Sequence, residues 1–128
     1  MQPDPIATAG AAALLTLAAP GKRNAIDNAL RRAIAQALPR LGRDPEIYAV
    51  VLQSAVEGIF SVGGNVKELI ELSRRGDGGA EAGLAEEYRL IWALECFTKP
   101  VVALIDGLVM GSGVGLTVFG THRVAGEH

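Results

Sequence analysis

The segment KPVVALIDGLVMGSGVGL, residues 99–116, predicts two successive elements of an α/β fold. Its proline ends any preceding helix, and residues 101–105 form a short apolar run that is typical of a buried strand. Asp106 and Gly107 predict a turn. Gly111-Ser112-Gly113 then opens an apolar segment that reaches Phe119, with Gly120 placed to end a helix. Because this helix is apolar on every side, we expect neighbours all round it.

A second glycine-rich turn, FSVGGNVKEL at residues 60–69, also precedes a helix. The β-branched run YAVVL at residues 48–52 predicts the strand before it, and Val66 begins the helix. Asn65 suits the N-cap of that helix as well as it suits a chemical role. Both glycine-rich turns therefore lie between a predicted strand and a predicted helix.

The remaining segments extend the same alternation of strands and helices. An apolar run at residues 11–17 predicts a first strand. Apolar residues three or four positions apart after Asp27, a plausible N-cap, predict an amphipathic helix. Residues 74–79 have the composition of a surface loop, and the helical period that follows them places Trp92 in the core. A last strand is predicted at residues 121–125, so the fold class is α/β with crossover connections.

Composition excludes several classes of protein. With 128 residues, of which 49% are apolar and 20% charged, the chain fits one globular domain. A net charge of −2 gives no basic field for nucleic acid or an anionic membrane surface. The lone Cys96 allows no disulfide framework and favours a reducing compartment. Residues 1–5 lack the basic region of a signal peptide, and we predict a cytoplasmic protein.

The two glycine-rich turns are the strongest candidates for a functional site. Backbone N–H groups at the start of a helix lack intrahelical acceptors, and glycine lets a ligand oxygen approach them closely. Two such turns facing each other would bind one oxyanion, although either alone is also an ordinary tight connection. A nucleotide-binding loop is disfavoured, because neither the G-x-G-x-x-G spacing nor a G-K-[ST] motif is present.

Three segments together resemble the crotonase, or enoyl-CoA hydratase/isomerase, superfamily. They are KRNA at residues 22–25, FSVGGNVKEL at residues 60–69 and the segment at residues 99–116, which occur in the order typical of that family. The resemblance implies a crotonase-like spiral of ββα units, of which residues 1–128 would form the N-terminal part of a single domain. It also implies an acyl-CoA substrate and a homo-oligomer, a trimer or hexamer, or a requirement for the C-terminal part.

The resemblance also assigns site residues. The amides of Gly64 and Ser112 would donate to the thioester carbonyl oxygen, and Ser112 stands where the family pattern usually has glycine. The resemblance also implies substrate-binding positions next to these donors and on the basic loop. On that loop, contact with the CoA phosphates or adenine and a merely solvated role both stay open. These positions are Gly63, Asn65, Gly111, Gly113, Lys22, Arg23 and Ala25. Coenzyme A is part of the substrate, so no separate cofactor is expected. The spacing of His122 and His128 suggests no metal site.

Within the superfamily, the motifs favour one branch. Hydratases resemble G-G-G-C-E-L at the second turn, but Gly115 occupies the position of their glutamate. Three segments instead resemble the 3-hydroxyisobutyryl-CoA hydrolases of valine catabolism: MGSGVGL, EEY at residues 86–88 and HRVA at residues 122–125. This resemblance implies that Glu87 contacts substrate. It also implies that the catalytic Glu and Asp follow residue 128. Hydration or isomerisation of an enoyl-CoA stays an alternative, as does a catalytically incomplete CoA-binding fragment. Without the resemblance, Glu86 and Glu87 would be assigned to a solvated helix face.

Overall fold

In the computed structural model, which describes residues 6–128, strands and helices alternate along the chain. Residues 1–5, on which the argument against a signal peptide partly rests, lie outside the described residues. The elements are β1 (Ile6–Ala9), β2 (Ala12–Leu17), α1 (Asn28–Arg43), β3 (Ala49–Ser54), β4 (Ile59–Ser61), α2 (Val66–Arg75), α3 (Gly79–Glu95), β5 (Val101–Ile105), β6 (Leu108–Val109), α4 (Ser112–Val118) and β7 (His122–Ala125).

The strands form two sheets. The larger has the order β1-β2-β3-β5-β7, in which only the β1–β2 hairpin is antiparallel. The smaller consists of β4 and β6, which are parallel. Along the chain, a pair of strands precedes a helix three times. In the second and third pairs, one strand belongs to the larger sheet and the other to the smaller sheet. This arrangement confirms the predicted α/β fold built from ββα units.

The predicted elements all form, and the sequence missed three short strands. Asp27 caps α1 as predicted, since its carboxylate accepts a hydrogen bond from the Leu30 amide at 2.9 Å. The missed strands are β1, β4 and β6, of two to four residues each. The predicted loop at residues 74–79 is shorter than expected, because α2 continues to Arg75 and α3 begins at Gly79.

The core lies between the larger sheet and α1. Alternate residues of β2, such as Leu15, point inward against the buried stripe of α1 that includes Ile34 and Leu38. Each such side chain contributes about 1.5–3 kcal/mol to folding by leaving water. Arg31, on the same helix, is also buried, and it is the one charged side chain of the described residues with this degree of burial.

Several large apolar side chains remain exposed. The prediction that Trp92 lies in the core is wrong, because 66% of this residue is accessible. It forms an exposed stripe on α3 with Leu84 and Tyr88, at spacings of four residues. On α4, Leu116 is buried but Val118 is 46% exposed, so neighbours cover only part of that helix. The helical pattern was correct, but it does not say which face meets the core.

Candidate active site

The small sheet brings the two glycine-rich turns together. In it, Ile59 pairs with Leu108 and Ser61 pairs with Val109. The Met110 amide donates to the Ser61 carbonyl at 3.0 Å, which extends the pairing into the turns. The first turn (residues 62–65) and the second turn (residues 110–113) therefore leave adjacent strands in the same direction and face each other.

Two glycines let the turns touch. Gly63 has a φ of 95°, and a Cβ on it would lie 2.9 Å from the Met110 carbonyl oxygen. A Cβ on Gly113 would lie 2.8 Å from the Ser61 Cβ. Neither position accommodates a larger residue without displacing its neighbour. Gly111 is exposed and has a φ of 54°, a conformation that also favours glycine.

The amides of Gly64 and Ser112 lie at this contact without acceptors. An ideal Cβ on Gly64 would be 3.2 Å from the Ser112 hydroxyl oxygen, which measures how close the two residues are. Within residues 6–128, neither amide hydrogen is taken by a backbone or side-chain acceptor, whereas the adjacent Gly63, Asn65 and Gly113 amides all donate. The pair thus offers two backbone donors to a ligand.

A largely buried ion pair lies against the second turn. The Ser112 hydroxyl donates to Glu87 Oε1 at 2.5 Å, and Arg31 Nη1 donates to Glu87 Oε2 at 3.0 Å. The side chains of Arg31 and Glu87 are only 9% and 20% exposed. Glu87 is therefore not on a solvated face, and the structure places it against Ser112, while the substrate contact that the resemblance implies for it stays a prediction.

The same polar network continues to the first turn. Arg31 Nη2 also donates to the Asn28 side-chain oxygen, and the Asn28 amide donates to Glu68 Oε2 at 3.0 Å. Glu68 lies in the first turn of α2, and its amide donates to the Asn65 side-chain oxygen at 3.3 Å. Asn65 is therefore the N-cap of α2. Side chains of α1, α2 and α3 thus connect the two turns.

The basic loop is fixed by Asn24. This residue is 1% exposed, and its side-chain amide donates to the Ser54 hydroxyl and the Phe60 carbonyl while its oxygen accepts from the Ala19 amide. Arg23 and Asn24 both have positive φ, at 50° and 54°. The loop is thereby held to the strand that leads into the first turn.

The two basic side chains of this loop differ in their ion pairing. Lys22 binds Asp27 at 3.1 Å, whereas Arg23 makes no ion pair within residues 6–128. Burial raises the pKa of Asp27, but the hydrogen bond from the Leu30 amide and the Lys22 ammonium together outweigh that effect. The pKa of Asp27 is therefore below its ordinary value of 3.8.

A cavity of about 730 Å³ lies beside the loop, between the β1–β2 hairpin and α1. Lys22, Ala25 and Asp27 line one end, and Gln36 and Arg40 line the other. None of the residues of the two glycine-rich turns lines it. The structure thus places Lys22 and Ala25 at a cavity separate from the Gly64 and Ser112 amides.

Gly115 lies against α3. A Cβ at this position would be 2.9 Å from Ile91 Cδ1, so the Ile91 side chain occupies the space that a longer residue would need. A carboxylate could not replace Gly115 without moving Ile91. His122 and His128 are not brought together: His128 Nδ1 contacts Asp106 Oδ1 at 2.9 Å, and the exposed His122 begins β7.

Sequence reasoning missed Arg31 and Asn24. Asn24 lies in a basic loop and Arg31 on an amphipathic helix, where polar side chains usually face water, and the partners Glu87, Ser54 and Phe60 are distant in the chain. The available signals were weak: Arg31 falls three residues before Ile34 on the apolar stripe, and Asn24 tolerates positive φ better than most residues.

Comparisons with known proteins agree on the family. The family model for enoyl-CoA hydratase/isomerase matches residues 12–128. The 3-hydroxyisobutyryl-CoA hydrolase, mitochondrial, of Xenopus tropicalis is 39% identical over 120 residues, which cover 94% of this chain and 31% of the relative. The Homo sapiens protein of the same name is 36% identical over 118 residues, covering 92% of this chain and 31% of that protein.

Solved structures share the fold. An enoyl-CoA hydratase from Rhodobacter sphaeroides matches with a TM-score of 0.90 and 34% identity, over 95% of this chain and 36% of its own. A carnitinyl-CoA dehydratase from Mycobacterium thermoresistibile matches with a TM-score of 0.90 and 31% identity, over 94% and 35%. The chain thus spans about a third of the length of the relatives it matches.

The predictions of a cytoplasmic location and of a homo-oligomer are separate from the family. No helix within residues 6–128 is long and apolar enough to cross a membrane. The word mitochondrial in the relatives' names does not fit a strictly cytoplasmic protein. The homo-oligomer stays a prediction.

By its sequence match over residues 12–128 and its ββα fold, the chain belongs to the enoyl-CoA hydratase/isomerase family, whose members are acyl-CoA enzymes.

Proposed function

We propose that the Gly64 and Ser112 amides bind the carbonyl oxygen of a CoA thioester, in a protein that hydrolyses 3-hydroxyisobutyryl-CoA to the free acid and CoA. The observation that carries this proposal is the pair of amides without acceptors at the contact between the two turns. Attack on a thioester places negative charge on its carbonyl oxygen, and each preorganised donor is worth about 2.7–4 kcal/mol in comparable sites. The names of the curated relatives support the choice of substrate.

Arg31 makes the carboxylate beside this site compatible with it. A lone Glu87 carboxylate would oppose negative charge developing on a nearby thioester oxygen. The Arg31 guanidinium, 3.0 Å from Glu87 Oε2, offsets that charge. Because Glu87 is already bound by Arg31 and Ser112, we assign it to contact with the acyl hydroxyl and not to the role of general base.

The basic loop is the proposed contact for the CoA handle. Arg23 and Lys22 are exposed, and diffuse anionic phosphates suit paired cations. Lys22 would exchange Asp27 for a phosphate, while Arg23 is free of ion pairs among the described residues. Ala25, at the rim of the cavity, is proposed to lie next to the adenine or pantetheine portion.

Two substitutions at one position test the thioester contact. Ser112→Pro removes the amide hydrogen, and proline is well tolerated as the first residue of a helix, which Ser112 is. Ser112→Ala keeps the amide and removes only the hydroxyl. We expect thiol release from 3-hydroxyisobutyryl-CoA to be at least about 100-fold slower in Ser112→Pro than in Ser112→Ala. Equal rates in two variants with matching thermal melting curves would contradict the proposal.

Hydration of an enoyl-CoA is the second candidate, because solved structures with this fold carry the name enoyl-CoA hydratase. Gly115 counts against it, because glycine supplies no carboxylate at the position where the hydratase pattern has glutamate. Loss of enoyl absorbance with crotonyl-CoA, without thiol release from the hydroxyacyl substrate, would favour hydration. Thioester binding with neither reaction would favour the third candidate, a CoA-binding unit that requires further residues for catalysis.

A further inference from the structure

Ser112 carries two polar groups with different partners. Its amide has no acceptor within residues 6–128, and its hydroxyl donates to Glu87 Oε1 at 2.5 Å. A ligand oxygen on the amide would therefore bind the same residue that already engages a carboxylate oxygen of Glu87. The resemblance describes glycine as usual at this position, so the second contact is a feature of this chain.

Glu87 cannot readily turn away from Ser112. Its other oxygen, Oε2, accepts from Arg31 Nη1 at 3.0 Å, and Arg31 is itself fixed by Asn28. Gly83 leaves room for this arrangement, because a Cβ there would be 3.2 Å from the Asn28 oxygen and 3.7 Å from Arg31 Nη2. Arg31 thus fixes the carboxylate through Oε2, and Oε1 faces the second turn.

We propose that the Ser112 hydroxyl sets the acyl selectivity of this site by competing with the hydroxyl of the substrate for Glu87 Oε1. The inference rests on the proposed function above. In a 3-hydroxyacyl thioester, one carbon separates the carbonyl carbon from the carbon that bears the hydroxyl. In the proposed pose, a thioester bound by the Ser112 amide carries its hydroxyl past the Ser112 side chain toward Glu87.

The competition should lower the preference of the site for hydroxyacyl esters over esters without the hydroxyl. In this proposal a substrate hydroxyl takes the place of the Ser112 hydroxyl on Oε1, so one hydrogen bond replaces another and little net affinity is gained. A branched acyl group without the hydroxyl leaves the Ser112–Glu87 bond intact and loses nothing. Serine at position 112 thus makes the site tolerant of both acyl classes, whereas a residue without a hydroxyl leaves Oε1 for the substrate.

The test compares 3-hydroxyisobutyryl-CoA with isobutyryl-CoA, using dissociation constants measured by rapid mixing before turnover. We expect the wild-type protein to prefer the hydroxyacyl ester by about threefold or less, and Ser112→Ala to raise that preference about tenfold. In a Glu87→Gln background, the same substitution at Ser112 should raise it by less than threefold, because a neutral amide forms weaker bonds than a carboxylate. Glu86→Gln is the matched control and should leave the preference unchanged.

The outcomes separate the two proposals. If neither ester binds the folded wild-type protein, the proposed function fails and this inference fails with it. If both esters bind but Ser112→Ala leaves or lowers the preference, the proposed function stands and the competition is wrong. An equal gain with and without the Glu87 carboxylate would also overturn it, because the effect would then not pass through Glu87.

Discussion

Arg31 and Arg32 are consecutive residues of α1, and they pair with Glu87 and Glu86, consecutive residues of α3. The Arg31–Glu87 side chains are 9% and 20% exposed, and the Arg32–Glu86 side chains are 63% and 31% exposed. Only the first pair contacts a glycine-rich turn, through Ser112. Neighbouring residues on a helix point about 100° apart, so one pair faces the interior and the other faces water. Identical residue types thus serve the site in one case and the surface in the other.

The largest difference is expected in stability. Arg31→Ala leaves Glu87 without its cation and should lower the free energy of unfolding by about 3 kcal/mol. Arg32→Ala removes an exposed pair and should cost about 0.5 kcal/mol or less. Urea unfolding of both variants measures the difference. Equal costs would show that the two pairs do not differ as their burial indicates.

A change at the N-cap of α1 should weaken both pairs alike, since this helix carries both arginines. Asp27→Ala removes the bond to the Leu30 amide and should cost about 1 kcal/mol at pH 7. Because the pKa of Asp27 is lowered on folding, its carboxylate stabilises the protein above the ordinary pKa of 3.8, and that contribution is lost as the pH falls through the lowered value. Unfolding measured from pH 7 downward should therefore show the cost of the substitution shrinking below that ordinary pKa, and a constant cost would contradict it.

Substrate binding should distinguish the two glutamates. Glu87→Gln should weaken binding of 3-hydroxyisobutyryl-CoA about threefold more than binding of acetyl-CoA, a modest figure because Ser112 already competes for the same oxygen. Glu86→Gln should change neither. Calorimetric titration with both esters provides the comparison. Equal losses for the two esters in Glu87→Gln would remove the hydroxyl-contact role.

The smallest expected effect is that of salt on the stability costs of the two arginine substitutions. Raising the ionic strength from about 0.1 M to about 1 M shortens the screening length from about 10 Å to about 3 Å. The cost of Arg32→Ala should then disappear, whereas most of the cost of Arg31→Ala should remain. A parallel loss of both costs would indicate that water and ions reach the Arg31–Glu87 pair freely.

The fold was largely predictable because its long elements carry periodic patterns. The Asp27 cap and the apolar stripe of α1 specify a helix by themselves. Strands β4 and β6 do not, because β6 has two residues and its partner lies far away in the chain. Yet this short pairing is what places the two turns together. Their approach therefore followed from the family resemblance and not from any local signal.

The site was only partly predictable for the same reason. The roles proposed for Gly64, Ser112 and Glu87 come from the family resemblance. Arg31 could not be assigned in this way, because its bond to Glu87 joins residues 56 positions apart and an Arg-Arg pair on an amphipathic helix indicates a solvated face. Which of two adjacent arginines turns inward depends on how α1 meets α3, and that is decided by packing.

The central claim is that the Gly64 and Ser112 amides polarise a thioester carbonyl, and isotope-edited infrared spectroscopy tests it most directly. With an acyl-CoA labelled with ¹³C at the carbonyl, we predict that the carbonyl stretch moves to lower frequency on binding to the wild-type protein and to Ser112→Ala. In Ser112→Pro, most of that shift should be lost. A bound thioester whose carbonyl stretch matches that of the free ester in water, or whose shift is the same in all three proteins, would contradict the account.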